Sequence, residues 1–591
     1  MSRGARVTAA ALLALGLSSP APAFIKATLS STDATPTRWD LEETLQPLGS
    51  VESGEIIYVI DISGSDDIPG ADELAAVSRA FGHWEGVGSS KVAFKKGADQ
   101  AIQVANNDGI NAIYWAEDVR TIIGGTQTNV STFVSITPVF KVTAGAAKGM
   151  ILDANIVLNG RQETWTMNPE AVPDSWDIEG VLTHEIGHFI GLDHSPALAS
   201  AMGPRFLPGE ARQRQLDPDD LAGATALYPE PGFASWGGIE GLVGRPAPVF
   251  GALVHVLDGS GRLIQSSITG TNGAYSAPGL PDGDYDVYVE PIDRAPAATT
   301  NLFDELDLGG IYGATVDPNF LPSLPVATSV AAPAMTPRSF TVGSTPGTAH
   351  LTKILERSPS VLQQEWTNAP TFVVQGDNNI LLGVAGPNVD ADSVVEITGP
   401  GFTQTSLTPV DTGSVEGEPY IIHSYNVALG APIGIRSIRV TGPLGRSYAS
   451  GAIKVYPNLP MSLAAPGVFN AVPGEVNNGR LPGQNPVTLE LVGDDVVLNW
   501  DDEPAAYGYH VYRGDLASLL STGLYNHQMI PGDVNSPCAV STSHTVLPGE
   551  ALAPGVSYYL VTAYNNFGEG IMGRDSSNVL LPPAAPACPQ P

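Results

Sequence analysis

HEIGHFIGLDHS, residues 184–195, sets three histidines and a glutamate close together and interrupts them with two glycines. Residues four apart share one side of a helix, so His184 and His188 project from the same flank, one turn apart. Ile178, Val181, Leu182, Ile186 and Phe189 cluster on another face of the same stretch. Such a helix can bury one side in a core and offer two imidazole nitrogens from its flank. A catalytic zinc takes three protein ligands and keeps a fourth position open, whereas a structural zinc is closed by four. Continuing the helix would carry His194 away from the metal. Gly191, lacking a Cβ, can adopt the left-handed conformation that ends a helix and turn the chain back, so that His194 becomes the third ligand.

Glu185 adjoins the first ligand but points to a different side, towards a water rather than the metal. Zinc held by the histidines would bring the pKa of that water towards about 7. Glu185 can then accept its proton as general base and return it to a leaving amine. The reaction expected is peptide-bond hydrolysis without a covalent intermediate. H-E-x-x-H alone arises by chance at roughly 1 in 8,000 positions, which is weak in a chain of this length. Gly191 and His194 at fixed offsets make coincidence improbable.

The full string, H-E-x-x-H-x-x-G-x-x-H, resembles that of the metzincin peptidases. Ser195, following the third histidine, is similar to the matrixin branch, and Met202 stands where that branch places its Met-turn below the zinc. SRAFGHWEGV (78–87) and DPDDLAGATALYP (217–229) resemble a matrixin helix and the closing helix. The resemblance covers residues 36–230. It implies an α/β catalytic domain whose twisted, mostly parallel sheet has one antiparallel edge strand, with zinc as cofactor. SITPVFKV (135–142) would be that edge, and family members bind extended peptide along it, which makes Thr137, Pro138 and Val139 substrate-binding candidates; proline suits an edge strand. Asp153 and Asn155 raise calcium as a second cofactor, although polar roles at a turn or strand end are the preferred reading.

Departures from the family are equally legible. His83 is the sole histidine upstream of the motif, so a second, structural zinc has no ligand set, and no cysteine precedes Cys538 to form a cysteine switch. Gly203 stands where the family usually has tyrosine.

Length and composition bound the remainder. At 591 residues the chain should hold about four domains. A net charge of −33 would repel a nucleic-acid backbone, which excludes polynucleotide partners. Solvation of an exported protein is preferred over calcium binding as its meaning. Residues 1–23 read as a secretory signal peptide: Arg3 and Arg6, an apolar run from Val7 to Leu17, then Ala21-Pro22-Ala23. No later apolar run is long enough to span a bilayer, so a secreted, extracellular protein is expected. In that setting the two cysteines, Cys538 and Cys588, are expected to form a disulfide.

Three all-β sandwich domains are expected after the catalytic domain. From 36 to 230, strand and helix signals alternate, with helices expected over 71–87 and 217–228; Asp174 or Ser175 is expected to cap the motif helix, and Asp217 to cap the last one with Pro218 in its first turn. Beyond Pro229 the periodicity changes to two. Residues 236–350 resemble carboxypeptidase regulatory-like modules over 236–297, with an irregular extension. Residues 351–458 loosely resemble an immunoglobulin-like domain, and 459–486 read as a linker. Residues 487–591 are similar to a fibronectin type III domain, with Trp500 as core tryptophan and Leu552, Pro554 and Tyr558 as its tyrosine corner. Arg513-Gly514-Asp515 is expected to be a hairpin turn.

These residues point to a secreted zinc endopeptidase acting on extracellular protein or peptide substrates. The β-modules would act as spacers or as docking sites for a macromolecule. The alternative is an adhesion or scaffold protein whose peptidase domain is inactive.

Overall fold

The structure, a computed structural model, describes residues 26–30, 33–43, 50–68, 73–167, 174–205, 207–231, 236–292, 320–343, 351–357, 366–387, 389–443, 445–456, 487–492, 495–499, 508–516, 519, 528–529, 544–547, 557–565 and 568–569. The signal-peptide segment, Cys538, Cys588, Trp500, Leu552 and Pro554 lie outside these residues.

The N-terminal unit is built on a sheet in which Glu55–Ile60 lies between Phe94–Lys96 and Ala112–Trp115, both parallel to it. Ile156–Leu158 continues the parallel set beside Ala112–Trp115. Ser135–Ile136 then pairs antiparallel with Ile156–Leu158 and forms the edge. Parallel strands are covered on both faces, and the sequence shows it: all four residues of Ala112–Trp115 are buried, without polar alternation. Helix Glu73–Glu85 (α1) packs Val77, Phe81 and Trp84 against helix Ile178–Phe189 (α2), which carries the histidine motif. The Trp84 indole donates to the Thr183 carbonyl at 2.8 Å and so fixes the contact between the helices.

Two sequence expectations change here. The motif helix is capped by Asp177, whose side chain accepts from Gly180 N, rather than by Asp174 or Ser175. The reason is the short parallel ladder of Trp176–Asp177 with Trp165–Thr166, which keeps the chain extended up to the cap. A hairpin over Arg120–Ile123 and Thr126–Asn129 was not expected from the sequence. Gly124 and Gly125, with φ of 56° and 76°, form its turn, and that glycine pair was the available signal.

Two further sandwiches follow. In residues 236–343, one sheet holds Ala274–Leu280, Gly237–Gly244 and Met335–Pro337; the other holds Leu263–Ile268, Leu253–Leu257, Gly283–Glu290 and Val326–Val330. The described part of the expected irregular extension is therefore regular: Val326–Val330 and Met335–Pro337 complete both sheets. Pro337 within the short strand Met335–Pro337, and Pro325 just before Val326–Val330, masked the pattern. In residues 351–456, Lys353–Arg357, Ile380–Ala385 and Glu418–Val427 face a sheet of Thr371–Val374, Gly445–Tyr456, Gly434–Gly442 and Val394–Ile397. The described C-terminal strands form a three-stranded and a four-stranded sheet. Arg513-Gly514-Asp515 is not a turn. It ends the strand Gly508–Asp515, with Gly514 opposite Tyr558, whose ring lies about where a Cβ would sit, 2.1 Å away.

The first three units share their interiors. One buried cluster runs from Trp84 and Phe189 to Tyr275 and Val287 of the second unit. Leu198 of the first unit is fully buried in a cluster that joins Leu253 and Ile268 of the second unit to the core of the third. Lys454 of the third unit donates to Asp217, the cap of helix Pro218–Leu227 (α3), at 2.6 Å, with both side chains buried. Breaking a buried pair from one side leaves an uncompensated charge. Lys454→Ala is therefore expected to cost about 3 kcal/mol of stability, read as a lower melting temperature of the full chain. Among the described residues no helix is long and apolar enough to cross a membrane.

Candidate metal centre and cleft

Helix α2 positions the first two histidines as the spacing requires. Ile178, Val181, Leu182, Ile186 and Phe189 are buried in the core, while His184 and His188 share the flank that lines the cleft, with rings 4.8 Å apart. The helix ends at Ile190, and two bonds close it: Gly191 N to the His188 carbonyl and Leu192 N to the Gly187 carbonyl, at 2.9 Å each. This pair of reversed bonds needs a left-handed residue after the cap. Gly191 has φ 100°, and a Cβ there would lie 2.2 Å from the Thr37 carbonyl oxygen. The reversal brings His194 back, with its ring 5.2 Å from His184 and 4.9 Å from His188. One ligand atom from each of the three lies within 4.8 Å of the others, and among the described residues this is the one such cluster that could hold a metal.

The outer nitrogens are already committed. His184 Nδ1 donates to the Ala201 carbonyl at 2.7 Å and His188 Nδ1 to the Leu192 carbonyl at 3.0 Å. A carbonyl can only accept, so each ring carries its proton on Nδ1 and leaves Nε2 as the lone-pair donor. Burial, with His188 beside it, pushes the His184 pKa down to about 3, so that ring is neutral and able to ligate. The donor set fits zinc.

Glu185 is buried, yet its carboxylate borders the cleft, held by two hydroxyls of the edge strand region: Ser135 Oγ donates to Oε1 and Thr137 Oγ1 to Oε2, each at 2.5 Å. Ser135 and Thr137 are two apart on extended chain and so face the same side. The sequence points to Thr137 but not to Ser135. A cleft of about 600 Å³ joins Glu185 and the three histidines to Thr137 and Val139. Pro138 lies between them, its carbonyl accepting from Asn155 N at 3.1 Å. The edge is thus split: Ser135–Ile136 pairs with Ile156–Leu158, and Val139–Lys141 with Ile151–Ala154. Asp153 and Asn155 serve the main chain rather than a cation. Asp153 accepts from Asp108 N and Gly109 N, and Asn155 Nδ2 donates to Asp153 at 2.6 Å. Calcium has no support in this arrangement.

Met202 lies under the histidines, where Gly187 makes room for it: a Cβ at 187 would sit 2.1 Å from the Met202 sulfur. Asp220 of α3 organises this turn, accepting from Ala201 N at 2.9 Å, Met202 N at 3.0 Å and Asp217 N at 2.8 Å. Burial and the neighbouring Asp217 push the Asp220 pKa up to about 7, against the pull of those bonds. Asp220 therefore sets the carbonyl that orients His184, a link no sequence signal gave away. Asp220→Ala strips a partner from three buried N–H groups. It is expected to lower stability by about 3 kcal/mol and zinc affinity about tenfold, measured by melting and by chelator competition. Gly203 is required by packing, since a Cβ would lie 2.2 Å from the Leu198 carbonyl oxygen, which explains the missing tyrosine. His83 accounts for itself as well: it contacts the buried Glu179 at 2.8 Å, beside Arg79. Burial works to raise the Glu179 pKa, but Arg79, Arg214 and His83 outweigh it and hold the carboxyl well below its usual range.

Known proteins match this chain over a limited stretch. Residues 141–229 match the matrixin family. The chain is similar to Metalloendoproteinase 1-MMP of Arabidopsis thaliana, 40% identical over 69 residues, which is 11% of this chain and 19% of the relative. Metalloendoproteinase 1 of Glycine max is 42% identical over 57 residues, 10% of this chain and 18% of the relative. The chain thus spans about a fifth of the length of the curated relatives it matches. Among solved structures, a fragment of titin covers 57% of the chain and 94% of its own length at 10% identity and a TM-score of 0.14. A metalloprotease-type segment is therefore present.

Proposed function

We propose that the protein is a secreted, zinc-dependent endopeptidase that hydrolyses peptide bonds of extracellular proteins. The observation that carries this is the convergence of three imidazoles, His184 and His188 presenting Nε2, beside the Glu185 carboxylate in one cleft. Zinc bound by His184, His188 and His194 would supply a Lewis acid and an activated water. Glu185, as general base, would accept a proton from the attacking water and return it to the departing amine. Ser135 and Thr137 hold both carboxylate oxygens, which fixes the base before substrate arrives. Thr137 and Val139 line the route by which an extended peptide would lie against the split edge. Export rests on the N-terminal leader read from the sequence.

The test is cleavage of casein and gelatin by the purified full chain with measured zinc content. Cleavage that stops on chelation and returns with zinc supports the reading. A zinc-loaded chain that cleaves neither protein would move the assignment to an adhesion or scaffold protein with an inactive domain.

A further inference from the structure

The cleft is not lined by the peptidase unit alone. Asn368 and Ala369, from the third unit, stand on it together with Glu185 and the three histidines. The segment that matches the matrixin family ends at 229, so this contribution comes from a part of the chain that the family match does not cover.

The local sequence Thr367-Asn368-Ala369-Pro370 explains how the contact is held. Thr367 exchanges two main-chain bonds with Ile354, at 2.8 and 2.9 Å, and its hydroxyl accepts from Ala369 N at 2.9 Å. Ala369 is buried, 1% exposed, while Asn368 between them stays half-buried on the cleft. The loop leads into Thr371–Val374, which runs parallel to Gly445–Tyr456 with Phe372 opposite Lys454. That second strand is fastened to the peptidase unit at several points. Lys454 pairs with Asp217, Leu198 N donates to the Ser450 carbonyl at 3.1 Å, and Ala199 N donates to the Gly451 carbonyl at 2.9 Å. Residues 198 and 199 lie between the third imidazole and Met202. The loop bearing Asn368 is thus tied, through two adjacent strands, to the segment that shapes the metal centre.

Resting on the peptidase reading above, we propose that Asn368 is a specificity-determining residue, through which the third unit helps select the extended peptide that enters the cleft. Its amide offers two donors and an acceptor, a match for the alternating C=O and N–H groups of an extended main chain or for a polar side chain. It is neither one of the three imidazoles nor the base, so its contribution is uniform binding and falls on KM rather than kcat.

The experiment uses the full chain, loaded with zinc, and a mixed peptide library. Asn368→Trp is expected to redistribute the cleavage sites and raise KM for a long peptide about tenfold. Asn368→Ala should raise it a few-fold, with zinc content and melting temperature unchanged in both. An active wild type whose site preferences and KM are matched by both variants would overturn the role of Asn368 and leave the peptidase reading standing. A zinc-loaded wild type that cleaves no peptide would overturn both.

Discussion

Glu185→Gln is expected to lower kcat/KM for peptide hydrolysis about a thousandfold, or ~4 kcal/mol, with zinc content unchanged. The amide keeps the shape and can still accept from one hydroxyl, but it has no basic oxygen to take a proton. Because Ser135 and Thr137 donate to the two carboxylate oxygens separately, one of them will face the amide nitrogen. A small loss of stability should accompany the loss of rate. Steady-state kinetics on a fluorogenic peptide, together with metal analysis of each preparation, would check this. Equal activity in wild type and variant would remove Glu185 from the chemistry.

Gly191→Ala tests the geometry rather than the base. The new methyl group would lie 2.2 Å from the Thr37 carbonyl oxygen, on a backbone with φ 100°. Neither conflict can be relieved by a side-chain rotation, because both partners are main chain. A stability loss of about 4 kcal/mol is expected. The same displacement would pull His194 off the metal and reduce zinc affinity about a hundredfold. Gly187→Ala, by contrast, meets the flexible end of Met202 first, with the Trp84 ring at 2.9 Å. Comparing the two variants by thermal melting and by zinc competition separates backbone reversal from tight packing. A Gly191→Ala variant that binds zinc normally would contradict the assigned turn.

What the sequence revealed follows from how local each signal is. The histidine spacing, the reversal at Gly191, the apolar face of α2 and the Asp217-Pro218 helix start are set by residues within a few positions of one another. Period-two patterning likewise exposed the β-rich nature of the chain after Pro229. Contacts made across long separations left no such trace. Asp220 holds Ala201, Lys454 reaches Asp217, and Asn368 comes to the cleft of Glu185. A short ladder of Trp176–Asp177 overrode the expected cap positions, and Arg513-Gly514-Asp515 continued a strand because Tyr558 needed the space above Gly514. In each case a tertiary partner, not local propensity, decided the outcome.

The three-imidazole centre is tested most directly by zinc K-edge X-ray absorption on the full-length protein loaded with one equivalent of zinc. Three histidine nitrogens at about 2.0–2.1 Å, with their outer-ring imidazole scattering, and one oxygen from solvent at a similar distance are predicted. A fourth protein ligand in the metal's coordination, or fewer than three imidazoles, would contradict it.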